Sequence, residues 1–432
     1  MKILLLLSES WNDSLAPNNN MTNWFSNFSD VKIWTIAGSA QLPNNQCCKD
    51  YFLIDEKEML KSIISGKTVG TELHYKSYPD FSSQQKNLEL SRKSKIKKYF
   101  ASESARFIRD CIWRYGHYDL ETMRNFVQTF KPDIVFTQRR GSIKMCRLEG
   151  IVSSFTSAPI VAYTGDDEYS LHQFSFSPVF WLRRLWVRRW LNKTIPMYKL
   201  FYSQSKRQIE EFNNKFRVPT KFLVKCGDFK KEKVHSVVGT PIQLIYAGKL
   251  YCNRWKTLAD IARTIVTINE KYNSTKLQLN IYTSDTITRK QAKKLNDGIN
   301  SIIHDAVPAS ELPSIYAHSD IVLHVEAFDL KNRLLTQDSF STKVMDCMAS
   351  GCAVMAVCWN GHAAYQYLKE KDAAIVADSN EQIKKQLEMI VKHPELVVEY
   401  AEKAFECGKR SHQRRYIQKM LKEDFYKVIN TC

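Results

Sequence analysis

Two stretches of this chain carry residue types suited to a phosphate-bearing ligand. The first is Tyr246-Ala247-Gly248-Lys249-Leu250-Tyr251-Cys252-Asn253-Arg254-Trp255. An apolar run enters a glycine turn and then a helical pattern. Gly248 lets the backbone turn tightly and approach a ligand closely. Lys249 and Arg254 flank the loop, within reach of a diphosphate, and the positive end of the following helix adds to their field. The same residues also read as a plain strand–helix turn with two solvated cations. No P-loop signature is present, which argues against an ordinary ATPase. The second stretch is Asp338-Ser339-Phe340-Ser341-Thr342-Lys343-Val344-Met345-Asp346, followed by Cys347-Met348-Ala349-Ser350-Gly351. With Ser341 as N-cap, Thr342 and Lys343 fall in the first helical turn, where free backbone N–H groups bind phosphate. Asp346 follows one turn later on the same face, placed to accept two ribose hydroxyls. Gly351 can end the helix in the left-handed conformation. An N-capped surface helix with an exposed Asp is the plainer reading. A third stretch, Val307 to Ile321, reads as loop, short helix and buried strand, with little chemistry of its own.

These residues need rigid elements beneath them. Ile3–Leu7 is a short apolar run bounded by polar residues, and it reads as a buried strand. Val31–Ala37, Asp133–Thr137 and Pro159–Tyr163 are further strand candidates, and Ser104–Phe130 has helical periodicity. A second alternation follows: strands Ile242–Tyr246, Leu277–Tyr282, Ile321–Val325 and Ala353–Val357, with helices Leu258–Asn269, Thr288–Gly298, Thr342–Ser350 and Gln382–Val391 between and after them. Strands alternating with helices predict open parallel sheets covered on both faces, with ligands beyond the carboxyl ends of the strands. The basic stretch Lys215–Thr240 reads as a linker. The expected organisation is a Rossmann-like domain at 1–230, a second at 231–410, and a helix at 411–432 packing back towards the first.

Composition limits the function classes. Of 432 residues, 44% are hydrophobic, enough for real cores and against wholesale disorder. The formal charge of +18 attracts phosphates, nucleic acid or anionic lipid. Eleven cysteines include no CxxC pair, so no metal ligand set is expected, and their scatter suits reduced thiols. The N-terminal apolar run is too short for a signal peptide, and no stretch approaches the roughly 18 apolar residues of a membrane span.

Taken in order and at these spacings, the stretches resemble the GT-B glycosyltransferases, and within them the large retaining family called glycosyl transferases group one. Gly248, Lys249, Leu250 and Arg254 match that family's Gly-Arg-Leu…Lys-Gly segment with Lys and Arg exchanged, and Trp255 replaces the second Gly. Asp338 and Asp346 match its "Glu, seven residues, Glu" spacing, with Phe340 at the aromatic position. Both acids are one methylene short, about 1.5 Å less reach. Ser341-Thr342-Lys343 resembles a subgroup acting on bacterial surface polysaccharides. The resemblance implies two Rossmann-like doubly wound domains facing each other across a cleft. It implies a nucleotide-diphosphate sugar as donor substrate, no tightly bound cofactor, and transfer with retention. Asp346 would bind the ribose and Asp338 the transferred sugar. Lys249 and Arg254 would neutralise the diphosphate, and the backbone at Ser341, Thr342 and Lys343 would cap its distal phosphate. The turn Thr164-Gly165-Asp166-Asp167 stands where the family often has His-Asp facing the cleft. Asp166 and Asp167 are therefore candidates for contact with acceptor or donor sugar, or members of an Asx turn. Asn12 and Asp13 border the first loop. Two cations and a helix start can stabilise a departing diphosphate without a metal.

One further segment, Pro178–Leu191, puts Arg184 and Arg188 on one helical face and Leu182, Leu185, Trp186 and Trp190 largely on the other, a pattern suited to a membrane interface. The basic run Arg92–Lys98 would add attraction to anionic lipid. A core helix with snorkelling arginines is the alternative. The expected partners are thus a nucleotide-sugar donor, a glycan or lipid-linked acceptor and an anionic membrane surface, with no nucleic acid, on the cytoplasmic face of the plasma membrane. A nucleotide-sugar epimerase of the same architecture, a nucleic-acid-binding protein and an inactive scaffold are the competing readings. His304, His318, His324 and His362 read as satisfied structural residues, and Glu326 as a weaker donor-site residue.

Overall fold

The computed structural model describes residues 1–13, 19–26, 28, 30–38, 42–75, 102–230, 234–308 and 310–431. The basic run Arg92–Lys98 lies outside them. The chain divides into two compact units, Met1–Leu223 with Ile417–Cys432, and Val224–Tyr416.

The first unit is built on an eight-stranded sheet. Its strands are β1 (Lys2–Leu7), β2 (Lys32–Ala37), β3 (Asp50–Leu53), β4 (Thr71–His74), β5 (Ile134–Gln138), β6 (Ile160–Tyr163), β7 (Tyr198–Ser203) and β8 (Thr220–Phe222). Their spatial order is β4-β3-β2-β1-β5-β6-β7-β8. Every pairing is parallel except β3 with β4. β1 and β5 are buried almost throughout, as strands covered on both faces must be. The predicted helical stretch Ser104–Phe130 is two helices, Glu103–Tyr115 and Leu120–Phe130. Gly116 ends the first, and the Asp119 side chain caps the second by accepting from the Thr122 N–H. The C-terminal helix Arg414–Asn430 enters this unit from Ile417 onward. Phe425 packs against Phe25 and Phe136, and Tyr202 Oη donates to Asp424 at 2.7 Å.

The second unit holds six parallel strands: β9 (Ile242–Ala247), β10 (Leu277–Thr283), β11 (Ser301–Asp305), β12 (Ile321–Val325), β13 (Ala353–Val357) and β14 (Ile375–Ala377). Their order, β11-β10-β9-β12-β13-β14, reverses direction at β9, so the crevice between the carboxyl ends of β9 and β12 is its switch point. The helix Arg254–Lys271 buries Leu258, Ile261, Ile265 and Ile268 on one face, against the core that holds Leu244, Leu279, Leu323 and Met355.

The unit boundaries fall at 223/224 and 416/417 rather than at 230/231 and 410/411. The stretch Lys215–Thr240, read as a linker, begins as the end of a helix and then forms the edge strand β8. β8 has only three residues, too few for periodicity to reveal. β3, β4, β7, β11 and β14 escaped the sequence reading as well.

Candidate active site

The turn after β9 is held from several sides. Tyr246 Oη donates to the Lys249 carbonyl at 2.6 Å, and the Leu250 N–H donates to Asp285 Oδ2 at 2.6 Å. Cys252 and Asn253 are both left-handed, at φ 54° and 60°. Asn253 offers no side-chain cap to the helix that opens at Arg254, because its amide donates to Asp329 Oδ2 at 3.1 Å. Gly248 owes its smallness to a close approach rather than to its backbone angle. A Cβ there would stand 1.9 Å from Lys343 Nζ. Lys343 reaches across the turn and donates to the Ala247 carbonyl at 2.8 Å. Burial, and then the neighbouring Arg254 charge, lower the Lys343 ammonium to about 8.

Arg254 points to Glu326, one residue beyond β12. Its guanidinium meets both carboxylate oxygens, Nε to Oε2 at 2.9 Å and Nη2 to Oε1 at 2.6 Å. The pair is nearly dry, with side chains 13% and 5% exposed. The Tyr251 ring lies 4.6 Å below the guanidinium, and Thr257 Oγ1 donates to the Glu326 carbonyl. Arg254 is thus a fixed cation, bidentate to a buried acid, rather than a solvated one. Lys249 is exposed.

The stretch after Asp338 departs from expectation in one respect. The helix is Lys343–Met348, and its N-cap is Thr342, not Ser341. Thr342 is in the right-handed helical region and makes no side-chain cap, while the Ser341 carbonyl accepts from Val344 N at 3.0 Å and opens the turn. Ser341, Thr342 and Lys343 still sit together at the helix start. Asp338 is buried and acts electrostatically on His362. Phe340 is buried edge-on against Tyr367. Asp346 is half-exposed, and Lys225 Nζ bridges its two oxygens at 2.7 and 2.9 Å. A ribose at Asp346 has to share that carboxylate with Lys225.

The two histidines nearest this crevice each leave one ring nitrogen without a partner among the described residues. They are His324 and His362, both buried, and the nitrogen is Nε2 in each. Burial lowers both pKa values, that of His324 well below the ordinary range, with His362, Arg254 and Lys343 adding to it. His304 and His318 do have partners, Asn280 Oδ1 and the Ser314 carbonyl, each at 2.8 Å.

In the first unit, the carboxyl ends of β1, β5 and β6 open on a cavity of about 500 Å³. Ser8, Arg109, Arg140, Asp166, Glu168 and Arg183 are among its walls. Asp166 is exposed there. Asp167 is not free to meet a sugar, which corrects its placement among the catalytic residues. Its side chain, 2% exposed, accepts from the backbone N–H groups of Tyr169 and Ser170, from Ser170 Oγ, from Gln173 Nε2 at 2.9 Å and from Arg184 Nη2 at 2.9 Å. Burial opposes its charge, but Arg184 and these donors hold its carboxyl below the usual range. Asp167 fastens the loop that presents Asp166. Glu168, which sequence reasoning missed, is buried, and desolvation pushes its carboxyl up to about 7 against the attraction of Arg139 3.5 Å away. Lys144 donates to the Ser8 and Gly38 carbonyls, and burial lowers its ammonium to about 8. Asn12 and Asp13 tie the first loop, Asn12 to the Leu42 carbonyl and Asp13 to Thr22.

The helix Pro178–Thr194 also corrects its sequence reading. Arg184 donates to the Asp167 and Ser170 carbonyls, Arg183 pairs with Asp110 at 2.7 Å, and Arg188 lies over the Tyr169 ring. Its basic face therefore turns inward. Trp186 and Trp190 pack on the core, while Phe176, Leu182 and Leu185 remain exposed. Among the described residues, no helix is long and apolar enough to cross a membrane.

Arg254 was legible as a cation beside a glycine turn and Glu326 as a weaker donor-site residue, but their pairing across 72 residues was not. Glu326 was found by its position, directly after a wholly buried strand.

Residues 240–422 match the family described as "Glycosyl transferase-like". No curated protein sequence matches the chain. Among solved structures, HepE of Anabaena in complex with UDP is similar at a TM-score of 0.63 and 10% identity, over 99% of this chain and 100% of that one. Sucrose-phosphate synthase of Thermosynechococcus elongatus gives 0.63 and 9%, over 100% of both chains. A structure described as trehalose-6-phosphate from E. coli bound with UDP-2-fluoro glucose gives 0.59 and 8%, over 98% and 99%. At such identities the likeness concerns the fold, and the fold is that of the GT-B glycosyltransferases.

Proposed function

We propose that this chain is a glycosyltransferase that uses a nucleotide-diphosphate sugar, with its donor site at the carboxyl ends of β9 and β12. The observation that carries the reading is the grouping of Gly248, Lys343 and the Arg254–Glu326 pair at the switch point of the unit that matches a glycosyl transferase-like family. Departure of a nucleoside diphosphate builds negative charge, and pre-placed cations stabilise it without reorganising. Arg254 is held by Glu326 before any ligand arrives, and Lys343 by the Ala247 carbonyl. Lys249 adds an exposed cation at the mouth of the turn. Asp346 is assigned the ribose hydroxyls, and Asp338 the hydroxyls of the transferred sugar. UDP is the favoured carrier, because two of the similar structures hold UDP or a UDP-sugar.

For the acceptor we assign the cavity of the first unit. Its walls mix arginines with Asp166 and Glu168, a lining suited to a hydroxyl-rich acceptor that also carries negative charge. A bacterial surface polysaccharide or its lipid-linked precursor is the acceptor class proposed. An anionic membrane surface belongs to the same proposal, resting now on exposed Phe176, Leu182 and Leu185 rather than on arginines. Retention and metal-independent transfer are proposed with it.

The test is release of nucleoside diphosphate from a panel of UDP-, GDP- and TDP-sugars, with and without phosphorylated or lipid-linked acceptors. Acceptor-stimulated release from one carrier, abolished in Arg254→Met, supports the assignment. Release from none of them by the folded wild type overturns it.

A further inference from the structure

The second unit carries a strongly basic groove for which the proposed transfer has no use. It runs between the helices Arg254–Lys271 and Arg289–Leu295 and encloses about 530 Å³. Lys256 and Arg263 line one rim, and Lys290, Lys293 and Lys294 line the other. Ala259, Ala262 and Val266 form an apolar floor between them, and half-buried Trp255 stands at one end. Trp255 directly follows Arg254, so the groove begins one residue along the helix from the proposed donor site.

The charge is not consumed within the fold. Lys290, Lys293 and Lys294 are exposed, and among the described residues they form no ion pair and no hydrogen bond. The acids of the groove are engaged locally. Asp260 pairs with Arg263, and Asp297 accepts from the backbone N–H groups of Ile299, Asn300 and Ser301 and from the Asn300 side chain. Arg289 with Lys293, and Lys290 with Lys294, are like charges four residues apart, an arrangement that destabilises a helix. The helix Arg289–Leu295 is held instead by its Thr288–Gln291 capping box and by buried Leu295. Its four cations therefore contribute nothing to the fold, and they set a positive potential over a concave surface, where field lines concentrate.

We propose that this groove binds a stretch of anionic glycan. Acidic groups of the chain meet Lys290, Lys293 and Lys294 on one rim and Lys256 on the other, and the apolar face of a sugar ring packs on Trp255 and the alanine floor. Lys256 and Arg263 are two helical turns apart, about 10 Å, so the basic rim reaches past a single sugar ring. The shape decides among polyanions. A bilayer is flat and meets the rims but not the floor, and duplex nucleic acid is wider than a channel between two neighbouring helices. Single-stranded nucleic acid is held by a succession of aromatic platforms, and Trp255 is the one aromatic ring among the described residues that line the groove. The anionic character of the ligand rests on the groove itself, and the choice of a glycan rests on the transferase reading above.

The test is calorimetric titration of the full chain with hexagalacturonate, neutral maltohexaose and oligothymidylate, at low and at moderate salt. Lys290→Glu, Lys293→Glu and Lys294→Glu are combined in one variant. Lys384→Glu, Lys385→Glu and Lys392→Glu, on the helix Asn380–Lys392, make a control of equal charge change. Trp255→Ala is the third variant, and circular dichroism shows that each folds. Wild type and the control should bind hexagalacturonate, more weakly as salt rises, and leave maltohexaose unbound. The groove variant should lose about tenfold or more in affinity, the equivalent of at least one charge-assisted contact, and Trp255→Ala should weaken hexagalacturonate at both salt concentrations. Failure of the wild type to bind hexagalacturonate, equal affinity in the folded groove variant, or tighter binding of oligothymidylate would overturn the proposal. UDP titrated into the same samples reads the donor site separately, so a failure there counts against the transferase reading and leaves the result for the groove standing. If the glutamate variant fails to fold, Lys293→Ala with Lys294→Ala, which keeps the helix propensity, replaces it.

Discussion

Replacing Gly248 with alanine tests why the turn after β9 carries a glycine at all. The new Cβ would lie 1.9 Å from Lys343 Nζ, whereas ordinary contact begins at 3.4 Å, so the ammonium has to retreat by about 1.5 Å. It can do so, because the clashing atom is the end of a flexible side chain. Gly248 also has no left-handed backbone to lose, being absent from the positive-φ glycines. Folding stability should therefore change by no more than about 1 kcal/mol. Ligand binding should change far more. In retreating, Lys343 gives up the Ala247 carbonyl and its place over the turn, and with it a charge-assisted hydrogen bond to diphosphate worth about 1.5–3 kcal/mol. That corresponds to roughly a 10- to 150-fold weaker Kd for UDP. Calorimetric titration of wild type, Gly248→Ala, Lys343→Met and the double variant separates the causes. If the glycine exists to make room for Lys343, the double variant binds no more weakly than Lys343→Met alone. Wild-type affinity in Gly248→Ala, or fully additive losses in the double variant, would show that the glycine does not make room for Lys343.

Nucleotide affinity should depend on pH through Lys343. Its ammonium sits near 8 in the free protein, and a bound diphosphate favours the charged form, so affinity holds below about pH 8 and falls as pH rises through that value, by up to about tenfold per unit. Lys343→Met should flatten that fall between pH 7 and 9.5. Arg254→Met strands the buried Glu326 carboxylate and should cost about 3–5 kcal/mol in urea denaturation, much of it recovered in Arg254→Met with Glu326→Leu. Unchanged stability of the single variant would show that the pair is not a fixed unit. Placing Glu at Phe176, Leu182 and Leu185 together should abolish co-sedimentation with anionic vesicles, and retained sedimentation would remove the membrane from the proposal.

Two doubly wound units were readable because long buried strands and amphipathic helices announce themselves. β9, β12 and β13 are runs of five or six residues with almost no polar interruption, and Leu258, Ile261, Ile265 and Ile268 recur at helical spacing. Short edge strands such as β4 and β8 carry no such signal. At the site, sequence could nominate Gly248, Arg254 and Asp346, since glycine turns and helix starts are local. It could not show that Arg254 meets Glu326, or that Lys225 sits on Asp346, because those partners arrive through sheet topology. Pro178–Thr194 misled for a related reason. Arginines on one face of a Trp- and Leu-rich helix look the same whether they face lipid or the backbone carbonyls of Asp167 and Ser170, and only the loop Asp166–Ser170 decides. Asp167 looked catalytic because an acid in a loop after a strand is exposed by default. Here five donors close around it.

In the proposed site a nucleoside diphosphate lies between the turn at Gly248 and the helix carrying Asp346. Thermal shift with UDP, GDP, TDP, ADP and CMP, on wild type and Asp346→Ala, tests it most directly. Binding at a hundred times the dissociation constant stabilises by about 2.7 kcal/mol, a readily visible shift. UDP should raise the melting temperature of the wild type and leave Asp346→Ala nearly unmoved. No shift with any nucleotide, or an equal shift in both proteins, would contradict it.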